Sequence, residues 1–242
     1  MTVPRYSMIV PAYNEERLLP RLLDSIDVAR NAYAATGDVE VIVADNTSTD
    51  HTASIAAARG GRVVGVEKRV IAAARNGGAR AARGDILTFI DADSQVHART
   101  FADIDSALAT GRVVGGATGV TLERWSAGIA LTYVMMMPIV WITGMDTGVV
   151  FCRRRDFEAM GGYDEGLRVA EDVAFLQALR RLGKPRGERL TRVTSAKAVA
   201  STRKFDDHGD WHFFPLALTG VWCLWTRNVT GFADRYWYKP KR

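Results

Sequence analysis

Cysteine is scarce: the 242-residue chain has two, Cys152 and Cys223. Two thiols that far apart, with no paired metal-ligand spacing, give neither a disulfide scaffold nor a zinc site. Proline is also sparse, at 7, against 22 glycines, which excludes collagen-like and proline-rich disordered chains. No Gly-x-Gly-x-x-Gly follows the first apolar strand and no Walker sequence is present; Gly115, Gly116 and Gly119 fit neither pattern. Long apolar runs are limited to one, the 20 uncharged residues from Ser126 to Met145 (SAGIALTYVMMMPIVWITGM). That length reaches across a bilayer. Ser, Thr and Gly dilute the run, however, and Pro138 is expected to kink a helix there. A buried or interface-lying helix is therefore favoured. No leader is expected, since Met1–Arg5 leads straight into an apolar strand; reduced thiols in the cytoplasm follow.

What is present is an ordinary globular composition, 48% hydrophobic and 24% charged, enough for one main domain with a C-terminal appendage. The net charge of +5 is unevenly spread. Residues 1–179 carry 18 Lys and Arg against 22 Asp and Glu; residues 180–242 carry 14 against 5, a net of +9. A basic tail suits phosphate groups, or an ordinary solvated surface. No nucleic-acid recognition motif accompanies it. From Trp211 to Tyr238 the tail mixes aromatic rings with Arg227, Arg235 and Lys239, a pattern that suits a membrane interface or a protein interface.

The first half alternates short apolar strands with helices. Strands are expected at Tyr6–Val10, Val39–Ala44, Arg62–Val66 and Ile86–Ile90. Helices are expected from Asn14, as a cap, through Ile26, over Ala53–Arg59, and over Val70–Arg83, the last interrupted by Gly77 and Gly78. Further strands are expected at Arg112–Val120 and Thr147–Arg153, and helices at Asp156–Gly161 and from Glu171. This order implies an α/β fold, a mainly parallel sheet covered on both faces. Ligands in such sheets bind at the carboxyl ends of strands. Asp45, Asp91 and Asp93 all stand there.

Two carboxylates one residue apart, Asp91 and Asp93, can share a hard divalent cation whose shell phosphate oxygens complete. Other readings are open for the remaining acids. Asp45 fits the cap of a turn, and Glu171 and Asp172 fit the first turn of a helix.

Taken in order, several segments resemble a family-2 glycosyltransferase of the GT-A fold. They are IVPAYNEERLLPRLLDSI, VIVADNTSTDHT, ARNGGARAARGDILTFIDADS, and TGVVFCRRRDFEAMGGYDE followed by LRVAEDVAFLQALRRLG. The resemblance covers about residues 5–205. It implies a glycosyltransferase domain over 1–205, with a nucleotide-binding half (1–98) and an acceptor-side half (99–205), and leaves 206–242 as an aromatic and basic extension. By position it implies that Pro11, Tyr13, Glu15, Asp45, Arg75 and Asp91 line the nucleotide-sugar pocket. Asp93, with Asp91, would hold Mg²⁺ or Mn²⁺. Asp172 would be the base of an inverting transfer, and Glu171 would contact acceptor or donor sugar. Arg203, in a basic-aromatic stretch, would reach the diphosphate, with His208 or His212 as a further metal ligand or a surface group. The implied partners are a nucleotide-diphosphate sugar and an acceptor of unknown identity, lipid-linked in one reading, with peripheral membrane contact or a homodimer. A retaining transferase, a sugar-phosphate nucleotidyltransferase and a degenerate binding module are the alternatives. The acidic PAYNEE stands against the nucleotidyltransferase, whose triphosphate loop is basic and Gly-rich.

Overall fold

The computed structural model describes residues 3–33, 39–143, 147–167 and 170–211. Its contacts group into two compact units. One is built from the segments up to Thr121 and from Met145 to Ala200; the other from Leu122–Gly144 and the chain after Ala200.

The first unit is a sheet with helices. Strands β1 (Tyr6–Ala12), β2 (Val39–Asp45), β3 (Arg62–Gly65) and β4 (Ile86–Phe89) run parallel, in the spatial order β3-β2-β1-β4. Beyond β4 lie β7 (Val150–Arg153), antiparallel to β4, then β6 (Val113–Leu122), β8 (Arg189–Ala200) and β5 (Ser94–Gln95). Every residue of β1 is buried, as expected of a strand covered on both faces. One face packs Met8, Val10, Leu22, Ile26 and Phe101. The other packs Ile9, Ile42, Leu87, Phe89, Phe175 and Leu179.

The helices of this unit are α1 (Leu19–Ala32), α2 (Thr52–Ala58), α3 (Ile71–Ala81), α4 (Thr100–Ala109), α6 (Arg154–Met160) and α7 (Glu171–Gly183). Two local expectations change. Asn14 does not cap α1. It takes a left-handed conformation (φ 54°), and the helix starts at Leu19, with Leu18 in the cap position. Helix α3 runs uninterrupted through Gly77 and Gly78, because both are contact points. A β-carbon at Gly78 would lie 2.4 Å from Ile9 Cγ2, and one at Gly77 2.5 Å from Val66 Cγ2. With Ala72, Ala73 and Ala74 also buried, the helix lies close on the sheet.

The second unit contains α5 (Ala127–Thr143), which runs through Pro138, and the short α8 (Arg203–His208). Arg124 joins them through Asp206 (2.5 Å) and Asp210 (2.7 Å). Ile129 and Thr132 are buried, whereas Trp125, Leu131, Val134 and Trp211 are exposed. Among the described residues no helix is long and apolar enough to cross a membrane. His212 and the aromatic and basic run after it lie outside the described residues.

Candidate functional site

The carboxyl ends of β1, β2 and β4 bring the expected residues of the first half to one edge of the sheet. Ala12 pairs with Asp45, and the Ile90 amide donates to Ile9 O, so Pro11, Asp45 and Asp91 emerge together.

Two loops leave this edge and are laced by side chains. The amides of Asn14, Glu15 and Glu16 donate to Ser48 Oγ (3.0 Å), Thr52 Oγ1 (2.8 Å) and Asp50 Oδ2 (3.1 Å). In return the amides of Thr49 and His51 donate to Asn14 Oδ1 (2.8 Å) and Glu16 Oε2 (3.1 Å). The polar run NTSTDHT is therefore a reciprocal cap for the loop after β1. Asp45 accepts the Ser48 amide at 3.3 Å, the turn-capping role open to it from sequence, and stands at the site edge as well. Tyr13 is 46% exposed, with the Arg69 guanidinium 4.7 Å above its ring. Arg69 in turn donates to Thr47 Oγ1 at 2.8 Å.

Backbone strain marks the same region. Among the described residues, the non-glycine residues with positive φ are Asn14, Thr47 and Ala170. The first two lie in the laced loops; Ala170 immediately precedes Glu171 and Asp172. Each left-handed residue costs about 1–2 kcal/mol, and such outliers gather at functional sites.

The centre is Arg75 of α3, 4% exposed. Its Nη1 donates to Glu171 Oε1 (2.8 Å) and Asp172 Oδ1 (2.5 Å), and its Nη2 to Asp91 Oδ1 (2.9 Å). Residues 96 and 97 positions downstream thus meet β4's acid on one guanidinium. The Tyr163 ring lies 5.1 Å from that guanidinium and stacks on Phe175 at 4.1 Å. Asn76, next to Arg75, fixes the backbone of Tyr163 from both sides, and its amide also donates to Glu165. Lys68 closes the other carboxylate oxygen of Glu165 at 2.9 Å.

One cation facing three carboxylates leaves the cluster short of positive charge. Burial pushes the Asp172 carboxyl up to about 7, against the pull of Arg75, with Asp91 and Glu171 adding repulsion. Burial likewise raises the Tyr163 phenol. Asp91 is 52% exposed and Asp93 half-buried. Among the described residues no three His, Cys, Asp or Glu side chains are grouped as a metal site.

The expected residues thus divide. Pro11, Tyr13, Glu15, Asp45, Arg75, Asp91, Asp93, Glu171 and Asp172 belong to the first unit, and Arg75 ties together Asp91, Glu171 and Asp172. Arg203 opens α8 in the second unit. Asn76, Asp50 and Tyr163 join the site beyond the residues expected from sequence; their signal lies in ARN, STD and GGYDE.

Comparison with known proteins agrees with this architecture. The family model described as "Glycosyl transferase family 2" matches residues 7–144. Validoxylamine A glucosyltransferase of Streptomyces hygroscopicus subsp. limoneus is 37% identical over 98 residues, 37% of this chain and 20% of that protein. The chain therefore matches only about a fifth of that curated relative's length. Among solved structures, S. aureus TarS superposes with a TM-score of 0.63 at 19% identity, covering 85% of this chain and 38% of that one. Mannosyltransferase PcManGT from Pyrobaculum calidifontis, in complex with GDP-Man and Mn²⁺, gives 0.61 at 24% identity over 82% and 57%. Parallel strands ending in acids, a laced pair of loops and a Glu-Asp pair opening α7 are thus set on a GT-A type fold, and the chain belongs to glycosyl transferase family 2.

Proposed function

We propose that the protein moves a sugar from a nucleotide-diphosphate sugar to an acceptor hydroxyl, with inversion and with a divalent cation. The carrying observation is geometric: Asp172, in the first turn of α7, meets Asp91, at the end of β4, on the one guanidinium of Arg75, in a buried setting that raises its carboxyl to about 7. A base poised near neutrality takes a proton from an attacking hydroxyl and loses it again.

In this reading Tyr13, Glu15 and Asp45 bind the nucleotide along the laced loops, with the buried Pro11 paired to β2 at the same strand ends. Asp91 and Asp93 offer hard oxygen donors, one exposed and one half-buried, and too few to enclose a cation. That fits Mg²⁺ or Mn²⁺, which are held by one or two carboxylates and completed by substrate phosphates. A neighbour in fold, PcManGT, is in complex with GDP-Man and Mn²⁺, in keeping with use of such a cation. When bound, the cation supplies positive charge where the departing diphosphate becomes more negative. Glu171, buried beside the base, positions the sugar. Asp172 receives the hydroxyl proton as the new glycosidic bond forms and the bond to the diphosphate breaks.

Thermal-shift measurements with UDP-, GDP- and dTDP-sugars plus Mn²⁺ or Mg²⁺ test the proposal, since a ligand of the folded state raises apparent stability by mass action. One donor is expected to raise Tm only with the cation present. No shift with any donor removes the nucleotide-sugar reading, and a product of retained anomeric configuration removes inversion.

A further inference from the structure

Arg75 is out of place as a nucleotide contact. Its guanidinium is 4% exposed, and both terminal nitrogens are taken by carboxylates from the end of β4 and the start of α7. Its Nε is buried with no hydrogen-bond partner. Three of its five N–H groups are given to carboxylates, and a diphosphate binding there would compete with them. Neither is it an ordinary structural ion pair, which balances its charges: here one cation is shared by three acids. The fork is held from below by the Tyr163 ring, and that ring is held by Asn76, the next residue of α3. Two consecutive side chains of one helix thus hold Tyr163 and the Glu171–Asp172 pair.

We propose that Arg75 is the positioning residue of the transfer, setting the Asp172 carboxylate relative to the Asp91 end of the crevice rather than binding the nucleotide. The inference rests on the reading of Asp172 as the base. The guanidinium is planar and its two terminal nitrogens diverge at a fixed angle, so one group orients two acids at once. A lysine keeps the charge but offers a single point, which cannot hold both ends in one geometry. Misplacing a reacting group by about 1 Å costs on the order of 10² in rate. Arg75 touches no reacting atom; it acts through Asp172.

The test compares full-length wild type with Arg75→Lys. The probe is whichever UDP-, GDP- or dTDP-sugar gives the largest thermal shift with Mn²⁺. Turnover is read as nucleoside diphosphate released with water as acceptor, and donor affinity by calorimetry. Arg75→Lys is expected to lower kcat about 10²-fold and to leave donor affinity within about threefold. The acid limb of its kcat profile is expected to move to higher pH, because the carboxylate loses part of its charged partner. Arg75→Gln, neutral but still a donor, is expected to show the same split between kcat and affinity if the lysine variant melts below assay temperature. Lost donor affinity with kcat intact makes Arg75 a nucleotide contact and overturns the proposal. Unchanged kcat and pH profile make it a structural clamp and overturn it equally. A wild-type protein that binds and cleaves no nucleotide sugar removes the glycosyltransfer reading itself, and does so before any variant is compared.

Discussion

The two ends of the same sheet carry polar clusters of opposite design. At the amino end, one carboxylate, Asp105, is surrounded by donors. Arg5 reaches its Oδ1 through two nitrogens, at 2.7 and 2.9 Å; Tyr6 OH donates to the same oxygen at 2.7 Å, and Tyr33 OH donates to Oδ2. Nearby, Glu40 accepts from Ser7 Oγ, from the Arg83 backbone and side chain, and from the Gly84 amide. Although burial opposes it, these hydrogen bonds hold both carboxyls below their ordinary range. At the carboxyl end the ratio inverts: one guanidinium serves three carboxylates, and Asp172 rises to about 7. Donor surplus makes a fixed joint. Carboxylate surplus leaves a group able to take up a proton and a place where added positive charge is stabilising.

The two ends also respond oppositely to pH. A lowered folded-state pKa, as at Asp105, contributes stability that is present at neutral pH and lost as pH falls through the carboxylate range. A raised one, as at Asp172, contributes stability that is complete below the unfolded value near 3.8 and lost as pH rises through about 7.

The largest expected effect breaks the comparison at its charge-hungry end. Asp93→Ala is expected to lose cation-dependent turnover by about 10³-fold, the worth of a metal's charge stabilisation, with an unchanged melting curve. A variant turning over at the wild-type rate and still needing the cation removes Asp93 as a ligand. Next, Asp172→Asn is expected to bind donor but lose about 10² or more in kcat. Wild-type kcat should rise with pH through about 7, and the variant should lack that limb. The variant should also melt higher than wild type at pH 8, with the gap closing toward pH 5; a pH-independent gap would place the titrating group elsewhere. The smallest effect belongs to the joint. Asp105→Ala is expected to cost about 1–3 kcal/mol in denaturant unfolding and to leave kcat unchanged. A kcat loss there would mean that the two ends are coupled.

Much of the first unit could be read in advance, for a physical reason. Strands β1, β2 and β4 are buried on both faces, so they appear as unbroken apolar runs, and the acids that follow mark their ends. Strand β8 was not among the expected elements. Its sequence RLTRVTSAKAVA exposes about half its residues, and the intervening Arg, Thr and Lys hide the buried Val193, Ala196 and Ala198. Helix α4 also lies outside the expected elements, although Phe101, Ile104 and Leu108 mark one buried face. At the site, the individual acids were legible as strand-end or helix-start residues. The ion cluster was not, because Arg75 lies 96 positions from Glu171 and the Ala and Gly residues of its helix, Ala72–Ala74, Gly77 and Gly78, give no hint of a buried charge. Asn14 misled through its chemistry: the side chain that caps helices here caps the backbone of another loop.

That reciprocal capping means that neither loop can loosen alone. The amides of Asn14, Glu15, Glu16, Thr49 and His51 each depend on a side chain from across the gap. A fluctuation that frees one strips partners from the rest, so the five should exchange their hydrogens with solvent as a single cooperative group. The ordering entropy of this rim is spent during folding, so a ligand bound there would not have to meet that cost again.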